Sequence, residues 1–371
     1  MSVAQLSRSA SSSAPAVKPL RIGIVGAGGI VRQRHLPGLS QIEGVDVLAV
    51  CNSSYESAEK FCADHLPHAT PIGNWADLIS LEDLDIVWIG TPPYLHSTIT
   101  VSALVAGKHV FCQARMAMNL EEAEEMLAAA RRHPQLVTML CPPPHGMRGD
   151  LAMRKALAEE LIGPIHQVRL QSLKADFLDP HAPAHWRQRD ELSGYNVLTL
   201  GIYAEVLQRW LGPIKSLVAH GRVVHPERNG YPVHVPDFLH VLCTWENGAE
   251  GVLAFSGVAG NAPGDRIELY GRDGVLIYDI AKDAIYHGAR GVHDLDLLPI
   301  TEDLAVPWRV EEDFIAAVRS HGGVEPRPSF EDGVAYMRVV QAVAESLLLR
   351  QEITLSAIQP MRGTSSISSN F

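Results

Sequence analysis

The sequence predicts two unlike halves: a doubly wound α/β domain on a parallel sheet, then an α+β domain with a large, mostly antiparallel open sheet. Three observations carry that prediction. A glycine-rich turn follows the first strand, strands and helices alternate from position 20 to about 140, and strands with hairpin turns dominate from Lys215 to about Ile300. A chain of 371 residues can bury a large core in two domains, expected at 20–142 and 143–358. Residues 1–19 and 359–371, rich in Ser, are expected to be disordered tails.

The first strand, Arg21–Val25, ends in Gly26-Ala27-Gly28-Gly29, and a helix is expected over Ile30–Leu39. A dinucleotide-binding turn needs this order. Gly26 makes the tight turn, Gly28 lets the backbone approach a pyrophosphate, and Gly29 and Ile30 open a helix whose free N–H groups and dipole favour an anion. The third small residue of such a turn falls on Val31, so the motif read alone fits an ordinary strand–turn–helix as well. Val45–Cys51 is a second strand, and Ser53 and Ser54 stand where a helix over Glu56–His65 needs a cap. Strands at Asp85–Gly90, His109–Cys112 and Leu136–Leu140 alternate with helices at His96–Ala106 and Leu120–Arg132, which implies right-handed parallel crossovers. A helix over Gly149–Leu161 and a strand over Ile165–Leu173 follow, then a helix from Asn196 to Leu211 that stops at Gly212-Pro213. Hairpin signals lie at Glu246–Ala249 and Gly271–Gly274, and helices return at Trp308–Ser320 and Phe330–Leu349.

A net charge of −11 leaves no basic excess to neutralise phosphates, which excludes nucleic acid as a partner. Five scattered cysteines without a CxxC spacing imply neither a disulfide framework nor a zinc site, and a reducing cytoplasm is expected. No apolar run reaches membrane-spanning length, so no membrane partner is expected. The charge says little about a small-molecule substrate, whose site can be locally basic in an acidic protein, and the open antiparallel sheet invites a homo-oligomer.

Several landmarks, in order over positions 20–355, resemble the Gfo/Idh/MocA family of sugar oxidoreductases. They are the opening turn with His35-Leu36-Pro37, Thr91-Pro92-Pro93-Tyr94-Leu95-His96 in place of Thr-Pro-Asn-x-x-His, Gly107-Lys108-His109-Val110, Trp186-Arg187, Gly201, Arg266–Ile277 and Phe330–Leu349. The resemblance implies a Rossmann domain followed by an open-sheet domain, with NAD or NADP bound between them. It also implies cofactor contacts from Thr91, Pro92, His96, Gln113, Trp186 and Arg187. Where the family has Glu-Lys-Pro this chain has Gln113-Ala114-Arg115, and where the family's helix carries Asp and His it has Thr199 and Tyr203. Both members of the usual acid–base pair are therefore missing. A positioned acid or base contributes roughly 10²–10⁴ in rate, so another group is required, or the reaction is redox-neutral, or catalysis is lost.

Tyr203 is the leading expected proton-transfer group, provided a nearby cation lowers its pKa, and Lys174 at the end of Ile165–Leu173 is expected to assist it. Asn196, Thr199 and Tyr203, three and four residues apart, are expected on one helix face toward the substrate. Arg115 is a candidate for a substrate carboxylate or an oxyanion, and His145 and Arg148 suit an anionic or polyhydroxylated substrate. His181 and His185 have a ligand-like spacing, but Pro183 between them opposes the helix that would align them, so no metal is expected. Asn52 and Ser53 follow the second strand as neutral groups where an acid would mark an NAD enzyme, leaving NAD and NADP both open. The expected activity is NAD(P)-dependent oxidation or reduction of a sugar-like or cyclic, anionic small molecule. A redox-neutral lyase, isomerase or hydrolase with tightly bound NAD, and a non-catalytic dinucleotide-binding protein, are the alternatives.

Overall fold

Short, largely apolar strands, with Ile86–Ile89 buried throughout, build the first layer of the computed structural model, which describes residues 19–142 and 147–357. Its strands are β1 (Leu20–Val25), β2 (Val45–Cys51), β3 (Thr70–Ile72), β4 (Ile86–Ile89), β5 (His109–Cys112) and β6 (Thr138–Leu140). They lie in the order β3-β2-β1-β4-β5-β6, every neighbouring pair parallel. The order reverses between β1 and β4, which opens a crevice at the carboxyl ends of those two strands.

The crossovers are α1 (Leu36–Ser40), reached through a π-helical turn at Val31–His35, α2 (Tyr55–His65), α3 (Trp75–Ile79), α4 (His96–Val105) and α5 (Leu120–Arg132). Polar side chains begin several of them, as the sequence suggested for α2. Ser54 accepts from the Ser57 N–H, Asn74 from Ala76 and Asn119 from Glu122. The pair β3 and α3 was not expected, because a three-residue strand carrying Pro71 has no readable periodicity.

After β6 the chain enters α6 (Asp150–Ala158) and then β7 (Ile165–Leu173). It continues through α7 (Asp190–Ser193), α8 (Leu200–Leu211), β8 (Ile214–Arg222), β9 (Glu227–Arg228), β10 (Tyr231–Pro232), β11 (Phe238–Trp245) and β12 (Glu250–Ser256). The remaining elements are β13 (Gly264–Gly271), β14 (Gly274–Asp279), β15 (Ala284–Ala289), β16 (Asp296–Leu298), α9 (Val310–Arg319), α10 (Phe330–Leu349) and β17 (Ile353–Thr354). Nine strands form the second sheet in the order β16-β15-β14-β13-β7-β12-β11-β8-β17, antiparallel except for β7 beside β12, and β9 and β10 form a separate ribbon. One face of the large sheet buries Leu170, Leu253, Phe255, Ile267 and Leu269 beneath α8 and α10.

Two results differ from the sequence reading. The helix expected from Asn196 begins at Leu200, because Leu198 takes φ +46° and breaks the turn ahead of it. Helix α9, late in the chain, returns to the first sheet. Its Phe314 meets the edges of Trp88 and Phe111, which are themselves stacked at 3.8 Å. No helix among the described residues is long and apolar enough to cross a membrane.

Candidate active site

The turn after β1 is shaped by contact with the turn after β4. Gly26 has φ +89°, and a Cβ there would sit 2.5 Å from the Thr91 nitrogen; a Cβ on Gly90 would sit 2.3 Å from the Gly26 oxygen. A Cβ on Gly90 would also lie 2.8 Å from the Val31 side chain, so the space that a small residue at 31 would have left is supplied by Gly90. Gly28 and Gly29, by contrast, face open space. Helical backbone begins at Gly29, and its first N–H groups lack intrahelical partners. An open cradle with unsatisfied donors at a helix start fits a dinucleotide pyrophosphate. Gly28, Gly29 and Ile30 would hold it, while Gly26 acts by making the turn. Asn52 accepts from the Ala27 N–H at 2.7 Å and ties the end of β2 to this turn, leaving Ser53 exposed beside it.

Behind the cradle runs a buried polar chain that the sequence did not suggest. His35 lies between Gln113 and the Glu311 carboxylate, which also accepts from the Trp308 indole N–H at 2.9 Å. With Nδ1 facing the carboxylate, the hydrogen-bond pattern assigns the proton to Nδ1 and leaves Nε2 to accept from the Gln113 amide. The amide nitrogen of Gln113 is thereby committed to His35. His96, expected against the cofactor, is instead fully buried. Its Nε2 faces the Thr91 carbonyl at 2.8 Å and its Nδ1 the Arg115 and Met116 carbonyls at 2.9 and 3.1 Å. It pins the Thr91-Pro92 turn to the segment after β5, so it shapes the wall of the crevice, with both ring nitrogens facing backbone carbonyls.

A second group gathers where α8 begins beneath β7 and β13. Asp265 stands directly across from Ser172 in the strand register. Its Oδ1 accepts from Ser172 Oγ at 3.0 Å, its Oδ2 accepts from the Tyr203 hydroxyl, and Lys174 Nζ lies 3.7 Å from Oδ2. Thr199, at the N-cap of α8, donates to Ser172 Oγ at 2.8 Å. The structure thus brings Tyr203, Lys174 and Thr199 together through a carboxylate and a hydroxyl that sequence reasoning missed. Asn196 is outside the group: it precedes α8 and donates to the Ala117 and Ser193 carbonyls, so it anchors a turn and does not share a face with Tyr203. Burial and the adjacent Asp265 push the Tyr203 phenol well above its ordinary range. The neighbour that would make it a base, a cation, is replaced by an anion. Lys174 is 38% exposed and Asp265 only 10%, so the ammonium is the member of the group that solvent reaches most readily.

On the other side of the start of α8 lies Arg115. Its Cγ and Cδ would be 3.3 Å from a Cβ at Gly201, and its guanidinium is 5.8 Å from the centre of the Trp186 ring. Arg187 stacks on the same indole at 4.3 Å. Desolvation, then Arg187, lowers the Arg115 pKa to about 9, and desolvation lowers that of Arg187 against the pull of Asp176. Arg148, expected near the substrate, is exposed and pairs with Asp283 at 3.5 Å. His145 lies outside the described residues. His185 accepts from the Arg187 N–H and caps the turn that carries Trp186. Among the described residues no group of three or more His, Cys, Asp and Glu is placed to hold a metal.

Comparison with known proteins agrees with this architecture. The Gfo/Idh/MocA model described as an oxidoreductase family with an NAD-binding Rossmann fold matches residues 20–140, and the C-terminal domain model of the same family matches 151–277. The chain is 29% identical over 335 residues to dTDP-3,4-didehydro-2,6-dideoxy-α-D-glucose 3-reductase of Streptomyces antibioticus, covering 82% of this chain and 95% of that one. It is 26% identical over 319 residues to levoglucosan dehydrogenase of Pseudarthrobacter phenanthrenivorans, covering 74% and 80%. A solved levoglucosan dehydrogenase in complex with NADH shares the fold, with TM-score 0.82 and 20% identity over 91% of this chain and 99% of that one.

Proposed function

The chain belongs to the Gfo/Idh/MocA family of NAD-binding oxidoreductases, and from that premise we propose that it oxidises or reduces a hydroxyl or carbonyl carbon of a sugar-like or cyclic small molecule, with Lys174 exchanging the proton. The named relatives, a sugar-nucleotide reductase and a levoglucosan dehydrogenase, support the substrate class. The observation that carries the assignment of Lys174 is the carboxylate of Asp265, bonded by Tyr203 and Ser172 and 3.7 Å from the ammonium. Gly28, Gly29 and Ile30 would hold NAD(P), which would supply or accept the hydride.

In the reducing direction the Lys174 ammonium donates a proton to the oxygen that becomes negative as its carbon is reduced. The neutral amine then recovers a proton from solvent. In the oxidising direction the amine takes the hydroxyl proton. Asp265 holds the ammonium in place, and Tyr203 and Ser172, fixed in turn by Thr199, hold Asp265. Tyr203 is a positioning residue in this scheme, because a phenol donating to a buried carboxylate keeps its proton at neutral pH. Arg115 and Arg187 beside the site suit an anionic substrate. The open face of the nine-stranded sheet, with Val218, Leu242 and Val252 side by side on three strands, suits a homo-oligomer.

The test is NAD(P)H absorbance during incubation with a panel of sugars, sugar acids and cyclic polyols. Lys174→Met is expected to lower kcat by ~10²–10⁴, while Tyr203→Phe lowers it by less, with dinucleotide binding intact in both. Full turnover by Lys174→Met would overturn the assignment. Turnover of a substrate without net NAD(P)H change would favour a redox-neutral reaction instead.

A further inference from the structure

On the far side of α8 from the Lys174 group lies a cavity of about 940 Å³, a size that takes a small organic molecule. Its wall is built by α6, α8, α10, the start of α9 and the end of β6. Two observations separate it from the crevice. Glu205 and Arg209 lie about 200° and 240° round the helix from Tyr203, so they turn away from Asp265. Met139 belongs to β6, the outermost strand of the first sheet, two places beyond β4 and therefore roughly 10 Å from the crevice.

The wall carries a buried negative charge that is poorly balanced. Asp150 and Glu205 are 5% and 7% exposed, and both pair with the single guanidinium of Arg209, at 2.9 and 3.1 Å. Asp150 has a second donor in the Trp210 indole N–H at 2.7 Å, whereas Glu205 has only Arg209 among the described residues. Other charges on the wall close on neighbours: Arg327 pairs with Asp332, Arg309 with Asp313 and Arg338 with Glu124. Arg154 and Glu246, both exposed, add one charge of each sign. A buried carboxylate short of positive charge is costly, and it takes up a proton or attracts a cation. Apolar side chains, among them Met139, Met147, Leu151, Ile214 and Trp308, line the same space.

We propose that this cavity is a second ligand site, separate from the Lys174 group, and that it takes an organic amine whose ammonium pairs with Glu205 and whose apolar body lies against the Met and Trp308 side chains. The ammonium supplies the positive charge that Arg209 divides between two carboxylates. Only ionised Glu205 offers that pairing. Burial raises its pKa to about 7 against the pull of Arg209 on α8, with Asp332 on α10 and Asp150 on α6 adding to the shift. An alkyl ammonium keeps its proton throughout this range, so binding strengthens as pH rises through about 7.

The test is calorimetric titration of the full chain with phenethylamine, phenethyl alcohol and hydrocinnamate, which share one apolar body and differ in charge. At about pH 8 the amine is expected to bind at least tenfold more tightly than the alcohol, with the acid weakest, and at about pH 5.5 most of that preference is lost. Glu205→Gln is expected to abolish the preference at both pH values, and Lys174→Met to leave it unchanged. Leu151→Trp, which narrows the cavity from its exposed side, is expected to weaken the amine and the alcohol alike. Equal affinity for amine and alcohol, a preference that survives in Glu205→Gln or disappears in Lys174→Met, or no binding of any of the three would overturn the proposal. Binding that requires the chain to be ended at Ala357 would assign the cavity to the residues after it, and would overturn the proposal as well.

Discussion

At the end of β2, Asn52 occupies the place where an acid would meet the ribose hydroxyls of NAD and repel the phosphate of NADP. Its Oδ1 is already used by the Ala27 N–H and its amide by the Ser57 carbonyl and hydroxyl, so it serves the turn first. Aspartate at this position keeps the acceptor and adds a negative charge. Asn52→Asp is therefore expected to weaken NADP binding about tenfold relative to NAD, a difference of ~1.4 kcal/mol, measured by fluorescence titration with each dinucleotide. An unchanged ratio would place the discriminating group elsewhere. The same scale explains Tyr203. Its position in the helix pointed to proton transfer, yet the chemistry of a phenol depends on which charge stands beside it, and that charge belongs to a residue 62 positions away.

Among the elements, helix starts were the most legible. Asn119 accepts from the Glu122 N–H, and Glu122 in turn accepts from the Met118 N–H. This reciprocal pattern fastens α5 just beyond the segment that carries Gln113 and Arg115. Asn119→Ala is expected to cost about 1 kcal/mol in urea unfolding, with kcat changed less than the stability. Helix α8 was less legible. The sequence from Asn196 onward has a helical pattern, but Leu198 at φ +46° delays the helix until Leu200. The delay turns Asn196 toward Ala117 and leaves Thr199 as the N-cap residue facing Ser172.

Across the whole molecule, α8, α9 and α10 meet around a cavity of about 940 Å³ whose wall includes Glu205. Burial raises the Glu205 pKa to about 7 despite Arg209 on its own helix, with Asp332 of α10 and Asp150 of α6 adding to the shift. Between about pH 4.5 and 7 the folded protein holds a proton that the unfolded chain has released, so this group's contribution to stability falls as pH rises through that window and stays low above it. Glu205→Gln is expected to stabilise the protein more at pH 8 than at pH 5, by ~1–3 kcal/mol, read as the difference in urea midpoint between variants. A constant difference would contradict the shift. On the opposite side of the large sheet, Leu242 is 53% exposed between Val218 and Val252. If that face joins two copies, Leu242→Glu lowers the mass measured by light scattering without lowering thermal stability, whereas an unchanged mass would assign the oligomer to another surface.

By itself the sequence determined the alternating strands and helices of the first half apart from β3 and α3, the strand-rich character of the second half with its flanking helices, and the glycine turn at Gly26–Gly29. These are local facts, carried by periodicity, capping residues and spacing within a few turns of chain. Only the tertiary structure decided that Asp265 gathers Lys174, Tyr203 and Ser172, that Gly90 accommodates Val31, that His96 is sealed in the wall, and that Arg115 is buried with no ion pair among the described residues. Each depends on groups from distant strands and helices meeting in space. Desolvation and charge compensation are set by that meeting, and no periodic pattern in the chain records it.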